Sequence, residues 1–287
     1  MPAPVSGQKK KAEALQALHR AAEPLVLVNA WDVGSARIVE QAGFPAIATS
    51  SAGIAFACGF EDGQKIHPDL MMAAIARIAG AVSVPVTADV EAGYGTSPES
   101  AARVAANVIE SGAVGMNFED ATGDAEHPLA DLSLQVERIR AIRESAARLH
   151  VALVLNARTD VYLLQVGEAA KRYDETLRRL RAFRDAGADC VFVPGLRDAP
   201  TIGRLVQEMN CPVNILAVPD APSVGELAGL GVQRISLGSG PMRSSLGLLR
   251  RLAEEVKSAG TYTNMKGAPS HAEINDLMKL NPRKRQK

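Results

Sequence analysis

The chain has 287 residues, no formal net charge and 47% hydrophobic residues, the balance of a globular protein with a sizeable core. That charge balance speaks against a nucleic-acid partner, which needs a concentrated basic patch, and no run of about 18 uncharged apolar residues predicts a membrane span. Three cysteines, Cys58, Cys190 and Cys211, lack both CxxC and zinc-ligand spacing, and no N-terminal apolar run reads as a signal peptide, so the expected setting is the reducing cytoplasm.

Residues 1–22 read as a leading helix that plugs or flanks the body of the fold. Short apolar runs then alternate with longer helical patterns. The runs are "LVLVN" (25–29), "AIATS" (46–50), "VPVTAD" (84–89), "VGMNFE" (114–119), "VALVLNAR" (151–158), "CVFVP" (190–194), "PVNILAV" (212–218) and "RISLG" (234–238). Several are continuously apolar, as parallel strands covered on both faces require. Between them lie "SARIVEQAG", "PDLMMAAIARIAGAV", "SPESAARVAANVIESG", "LSLQVERIRAIRESAARL", "EAAKRYDETLRRLRAFRDAG", "APTIGRLVQEM", "PSVGELAGLG" and "SSLGLLRRLAEEVKSAG". One device recurs: a helix ends in glycine and two or three residues lead into the next strand, as in "ESGAVGMNF" and "DAGADCVFV". Eight strands each followed by a helix predict a (β/α)₈ TIM barrel over residues 1–260, and residues 261–287 predict a trailing helix with a basic tail, "NPRKRQK". An open doubly wound sheet fits less well, because no GxGxxG follows the first strand.

Chemistry in such a barrel sits at the C-terminal strand ends. Those ends carry Trp31 and Asp32, then Ser51 and Gly53, then Asp89 and Glu91, then Glu119 and Asp120, then Asn156, Arg158 and Asp160, with Asn214 and Ser236 later. Three neighbouring ends thus aim carboxylates at one mouth, against one arginine. Two readings stand at this point: an oxygen-rich site for Mg²⁺ or Mn²⁺, or acids that pair with basic groups and cap helices. Arg158 fits either a substrate carboxylate or a salt bridge to Glu119 or Glu91. "SSAGI" (50–54) fits either backbone N–H donors for an enolate oxygen or a tight turn, and "LGSGPMRSS" (237–245) fits either a phosphate cradle or an ordinary loop. Asp120 and Asp160 are read as structural. No lysine lies on an inferred strand and GxSxG is missing, which disfavours covalent catalysis by lysine or serine.

These segments together resemble the isocitrate lyase/phosphoenolpyruvate mutase superfamily, from about Leu25 to Lys257. "NAWDVGSARIVEQAGFPAIATSSAGIA" is similar to its opening two βα units, "ADVEAGYG" to its metal-binding aspartate loop, "NFEDA" to its fourth-strand glutamate segment and "NARTDVYL" to its fifth-strand arginine segment. The resemblance implies a phosphoenolpyruvate-binding type of barrel with Mg²⁺, a small 2-oxo acid substrate, and a homotetramer that exchanges its last barrel helix. It implies Ser51, Ala52 and Gly53 at an oxyanion pocket; Trp31 and Asn214, read from their strand ends, are expected to line the substrate as well. Asp89, Glu91 and Glu119 form the metal shell, with Asp62 of "GFEDG" near it, and Arg158 anchors the substrate carboxylate. The chain departs from the pattern after Glu119. There "DATGDAEHPLAD" lacks the Lys-Cys-Gly-His of the lyase branch and the Lys and Asn of the mutase branch, and Pro194 replaces a mutase histidine. The expected activity is therefore a Mg²⁺-dependent lyase, most simply decarboxylating an oxaloacetate-like acid through a stabilised enolate. Alternatives are a methylisocitrate-type C–C lyase using His127, phosphonate chemistry, or an oxo-acid-binding protein without turnover.

Overall fold

The computed structural model describes residues 6–279; the expected basic tail, 281–287, lies outside them. Nine parallel strand segments run in the order β1-β9-β8-β7-β6-β5-β4-β3-β2. They are β1 (Leu25–Leu27), β2 (Asn29–Ala30), β3 (Ile47–Thr49), β4 (Val86–Asp89), β5 (Gly115–Glu119), β6 (Val154–Arg158), β7 (Cys190–Phe192), β8 (Val213–Leu216) and β9 (Arg234–Ser236). β1 and β2 are two pieces of one strand interrupted at Val28: the first pairs with β9 and the second with β3, so the ring closes as an eight-stranded barrel. Nearly every strand residue is buried, which explains the continuous apolar runs.

The register sets which side chains share a layer. Asp89 pairs with Asn117 and Asn117 with Asn156, while Glu119 pairs with Arg158 and Arg158 with Phe192. Because side chains alternate along a strand, Asn117 and Glu119 lie on one face, as do Asn156 and Arg158. Polar groups are therefore stacked in two levels inside the C-terminal half of the barrel.

Helix α1 (Ser6–Leu18) closes the opposite end, so of the two sequence alternatives it plugs the barrel. Gln8 Nε2 donates to Ile109 O at 2.7 Å and Lys11 Nζ to Val82 O at 3.0 Å. Leu15 packs so close beneath β5 that a Cβ on Gly115 would lie 2.8 Å from its Cδ2. The outer helices are α2 (Val33–Gln41), α3 (Ser51–Ala57), α4 (Pro68–Ala81), α5 (Pro98–Glu110), α6 (Leu132–Arg148), α7 (Arg172–Asp185), α8 (Ala199–Glu208), α9 (Val224–Gly229) and α10 (Gly240–Ala259), and α11 (His271–Lys279) follows them. Their starts are capped: Ser97 Oγ accepts from Ser100 N ahead of Pro98, and Asp32 and Ser223 form capping boxes. α11 rests on α2, with Arg37 Nη1 donating to Leu277 O at 2.7 Å.

Two local readings change. "SSAGI" is not a free turn but the start of α3, a seven-residue helix too short to show an apolar period. "LGSGP" is already closed upon itself, because Asn29 Oδ1 accepts from both Leu237 N (2.9 Å) and Gly238 N (2.8 Å), and Gly240 N donates to Leu237 O. Three of the N–H groups of this loop, those of Leu237, Gly238 and Gly240, are thus already taken.

Candidate active site at the acidic side of the barrel mouth

Asp89 ends β4 and is 9% exposed. Its Oδ2 accepts from Ser51 N at 3.0 Å and Ser51 Oγ at 2.8 Å, and its Oδ1 from Asn117 Nδ2 at 3.4 Å. Ser51 is therefore brought to the site as expected, but as the group that fixes Asp89. The proposed donor pocket is correspondingly narrower: Ser51 N–H points at Asp89 and Gly53 N–H is bonded to Ser50 Oγ at 3.1 Å. Of the three, Ala52 N–H alone has no acceptor among the described residues. Gly53 is glycine for a packing reason, since a Cβ there would lie 3.0 Å from Trp31 Cβ. Half-buried Trp31 thus stands beside the start of α3.

The loop after β4 is strained. Glu91 and Tyr94 have left-handed φ values of 52° and 55°, and Gln64, across from them, has 61°. For residues with a Cβ this costs of order 1–2 kcal/mol each and calls for an explanation. The three bond one another: Gln64 N donates to Glu91 Oε2 at 2.5 Å, Tyr94 OH to Glu91 Oε1 at 3.4 Å, and Tyr94 N to Gln64 Oε1 at 2.6 Å. Gly93, at φ 84°, lies under Phe118, where a Cβ would come within 2.8 Å. The strain serves to turn the Glu91 carboxylate inward and hold it there. Burial, then the charges of Asp89 and Asp62, push Glu91 up to about 7.

Glu119 ends β5, and its Oε2 pairs with Arg158 Nη1 at 2.7 Å. Arg158 also grips Asp160 through Nε at 2.5 Å and Nη2 at 2.8 Å. Of the two sequence readings of Arg158, the ion pair is present; three of its five N–H donors are engaged, which leaves two, on a side chain 17% exposed. Burial raises Glu119 and outweighs Arg158; Asp160, Asp89 and Glu91 raise it further. Burial alone would lower the Arg158 guanidinium, but Glu119 and Asp160 raise it above its ordinary value. Asp160 N in turn donates to Asp120 Oδ1 at 3.0 Å, and Asp120 Oδ2 accepts from Thr159 Oγ1 at 2.7 Å and Arg179 Nη1 at 3.2 Å. Asp120 and Asp160 are structural members of this chain, as the sequence suggested. Asp120 is pushed up to about 6 by burial, against the pull of Arg179.

The expected shell residues Asp62, Asp89, Glu91 and Glu119 do not close on a single point. Among the described residues no three carboxylate, imidazole or thiol groups converge closely enough to enclose an ion. Asp62 lies on the exposed α3–α4 loop, raised first by desolvation and also by Asp89, and Glu119 is engaged by Arg158. What the acids share is mutual repulsion, since each of Asp62, Glu91 and Glu119 is raised in part by Asp89. Such a donor set suits a cation that takes one carboxylate directly and reaches the others through water.

Asn214 is also corrected. Its side chain is fully buried and exchanges hydrogen bonds with Ser236 at 3.2 and 3.3 Å, so it offers a substrate no surface. Residues that sequence reasoning passed over are Gln64, Tyr94 and Asn117. Only Asn117 left a usable signal, its i−2 relation to Glu119 on an inferred strand. Segment 121–130 bonds largely to itself: Ala121 bridges Leu129, Thr122 N donates to Pro128 O at 3.1 Å, and His127 pairs with Asp124 at 3.5 Å on the exposed tip. Cys190 is buried and Cys211 half-buried; burial pushes their thiols up to about 12 and about 11, while Cys58 is exposed.

The family model of phosphoenolpyruvate phosphomutase matches residues 15–257. The chain belongs to this family. Among relatives of the phosphoenolpyruvate phosphomutase family, an uncharacterised protein of Mycobacterium tuberculosis is 35% identical, over 80% of this chain and 83% of its own. A 2-methylisocitrate lyase of Salmonella typhimurium is 27% identical (89% and 84%), and an oxaloacetate decarboxylase of Bradyrhizobium diazoefficiens 24% (84% and 83%). Among solved structures, a putative lyase/mutase of Burkholderia cenocepacia superposes with a TM-score of 0.90 at 38% identity, covering 96% of this chain and 98% of that one. A 2,3-dimethylmalate lyase gives 0.83 at 27%, covering 98% of each. A phosphonopyruvate hydrolase solved with oxalate and Mg²⁺ shares the fold, with 0.82 at 23% and 96% of each chain covered. The family thus includes lyases and mutases on one barrel. Among the described residues, no helix is long and apolar enough to cross a membrane.

Proposed function

We propose that this chain is a divalent-metal-dependent lyase acting on a small 2-oxo acid, most simply decarboxylating an oxaloacetate-like dicarboxylate. One observation carries the reading: Asp89, Glu91, Glu119 and Asp160 are buried together at one side of the mouth with Arg158 as the cation hydrogen-bonded among them. Carboxylates so crowded raise one another unless a cation joins them. Mg²⁺ or Mn²⁺ fits that deficit, with Asp89 as the direct ligand and Glu91 and Glu119 holding its waters. When bound, such an ion supplies a Lewis acid for a keto oxygen.

The chain's own residues supply the rest. Asp160 and Glu119 hold the Arg158 guanidinium so that its two remaining N–H groups serve a substrate carboxylate. Ala52 N–H, in the first turn of α3, adds a donor to developing negative charge on oxygen. Decarboxylation needs no general base, which suits a site whose titratable groups are engaged in holding one another. The new C–H bond takes its proton from solvent, because the 121–130 segment carries no acid that reaches the site. The test is pyruvate formation from oxaloacetate with and without EDTA; turnover indifferent to chelation would overturn the reading. The M. tuberculosis and B. cenocepacia relatives make a matched panel of 2-oxo and 2-hydroxy acids the way to fix the substrate.

Assembly belongs to the same proposal. Helix α10 buries only Met242 and exposes Leu246, Leu248, Leu249 and Val256, an apolar surface unsuited to water. A second copy of the chain covers it in the proposed homo-oligomer, as helix exchange in a tetramer would. Leu249→Glu should give a smaller species by light scattering; an unchanged mass would count against it.

A further inference from the structure

Below the acidic layer, inside the barrel, lies the largest fully buried side chain among the described residues, Arg234 at the start of β9. Its hydrogen-bond partners are all neutral. Nη1 meets His19 Nε2 at 3.3 Å, Nη2 donates to Asn117 Oδ1 at 3.1 Å, and Nε has no partner among the described residues. His19 Nδ1 is bonded to Leu15 O at 2.8 Å, which leaves Nε2 as the acceptor. Burial, helped by Arg234, pushes His19 down to about 4, so the ring is neutral. A buried guanidinium with no carboxylate in contact is an expensive way to fill a barrel, and an apolar residue would fill it better. The arrangement makes sense through what Arg234 does to Asn117. Asn117 Oδ1 accepts from both Arg234 and Asn156 Nδ2 (2.8 Å), so its amide has one orientation, with Nδ2 turned to Asp89 Oδ1. Ser51 holds the other oxygen.

We infer that Arg234 is a positioning residue for Asp89: from inside the barrel it fixes the Asn117 amide, and that amide with Ser51 sets the plane of the carboxylate. The role of Asp89 toward a cation rests on the function proposed above; the positioning itself does not. It follows that α1, through His19 directly after its last residue, is continuous with the site although it closes the far end of the barrel.

The experiment has a metal-free arm and a metal arm. In the metal-free protein, Arg234→Met should move the Ser51 amide resonance, which reports on Asp89 Oδ2, and leave that of Gly53, bonded to Ser50, in place. In the metal arm, Mn²⁺ titration followed by electron paramagnetic resonance should show about tenfold weaker binding, the usual effect of losing an outer partner of a ligand. Arg234→Met should add nothing further in an Asn117→Ala background. A folded Arg234→Met protein with the Ser51 resonance and Mn²⁺ affinity of the parent overturns the inference, as does tighter Mn²⁺ binding, which would mark Arg234 as a repelling charge only. Parent protein that takes up no Mn²⁺ removes the metal reading, and the Ser51 resonance still decides the positioning. Should Arg234→Met not fold, His19→Leu removes the other anchor of the guanidinium and is read in the same way.

Discussion

Two arcs of the barrel mouth differ in how their polar groups are satisfied. Along the arc of β8, β9 and β2, Asn214 and Ser236 bond to each other, and Asn29 closes the loop after β9 on Leu237 and Gly238. The side chains of Asn214, Ser236 and Asn29 at those strand ends are neutral and engaged with one another or with the backbone. Along the arc of β4, β5 and β6 the backbone is strained, carboxylates crowd one another and two donors of one arginine remain open. Both arcs carry polar residues at strand ends, so the position on the barrel does not mark a site. What marks it is polar chemistry that the fold leaves unbalanced.

That contrast can be broken. Asp89→Ala should lower kcat/KM for the responsive 2-oxo acid by at least about 10³-fold, several kcal/mol of transition-state stabilisation; steady-state assay with Mg²⁺ decides it. Arg158→Lys keeps the charge but loses the planar fork, and should raise KM about 10–100-fold with a smaller change in kcat. The metal-free protein should show an unusual pH profile. The folded-state value of Glu91 is about 7, raised from 4.5, and that of Asp120 about 6, raised from 3.8. Raised carboxylates bind protons better when folded, so their contribution is present at low pH and lost as pH climbs through these values. Melting temperature in EDTA should therefore fall between about pH 4.5 and 7, and the fall should be smaller for Glu91→Gln and with Mg²⁺ present. Smallest is Asn214→Ala on the other arc: kcat/KM within about threefold, with about 1–2 kcal/mol of stability lost in urea unfolding. An Asn214→Ala loss approaching that of Asp89→Ala would erase the distinction between the arcs.

The barrel was legible because its signals are local. Apolar runs and glycine helix ends each state a piece of the architecture, and eight repetitions of strand and helix leave few ways to close it. The acids were legible for the same reason, since the last residue of a strand points where the barrel sends it. Ser51, Gln64 and Asn117 were harder because their roles depend on partners 27 to 38 residues away, |i−j| being 38 for Ser51–Asp89, 27 for Gln64–Glu91 and 28 for Asn117–Asp89. Asn214 misled because a strand-end position says nothing about whether a neighbouring strand already satisfies the side chain. α3 was missed because seven residues hold too little periodicity to separate a helix from a turn.

The left-handed trio of Gln64, Glu91 and Tyr94 has a consequence for laboratory evolution. A screen that rewards heat resistance alone would find relief at Gln64 and Glu91 first, because glycine there relaxes the chain and removes no apolar side chain, whereas Tyr94 packs against the core. Variants surviving such a screen should accumulate changes in the two loops while their barrels stay intact, and a library built without a turnover assay would drift toward robust but inert proteins.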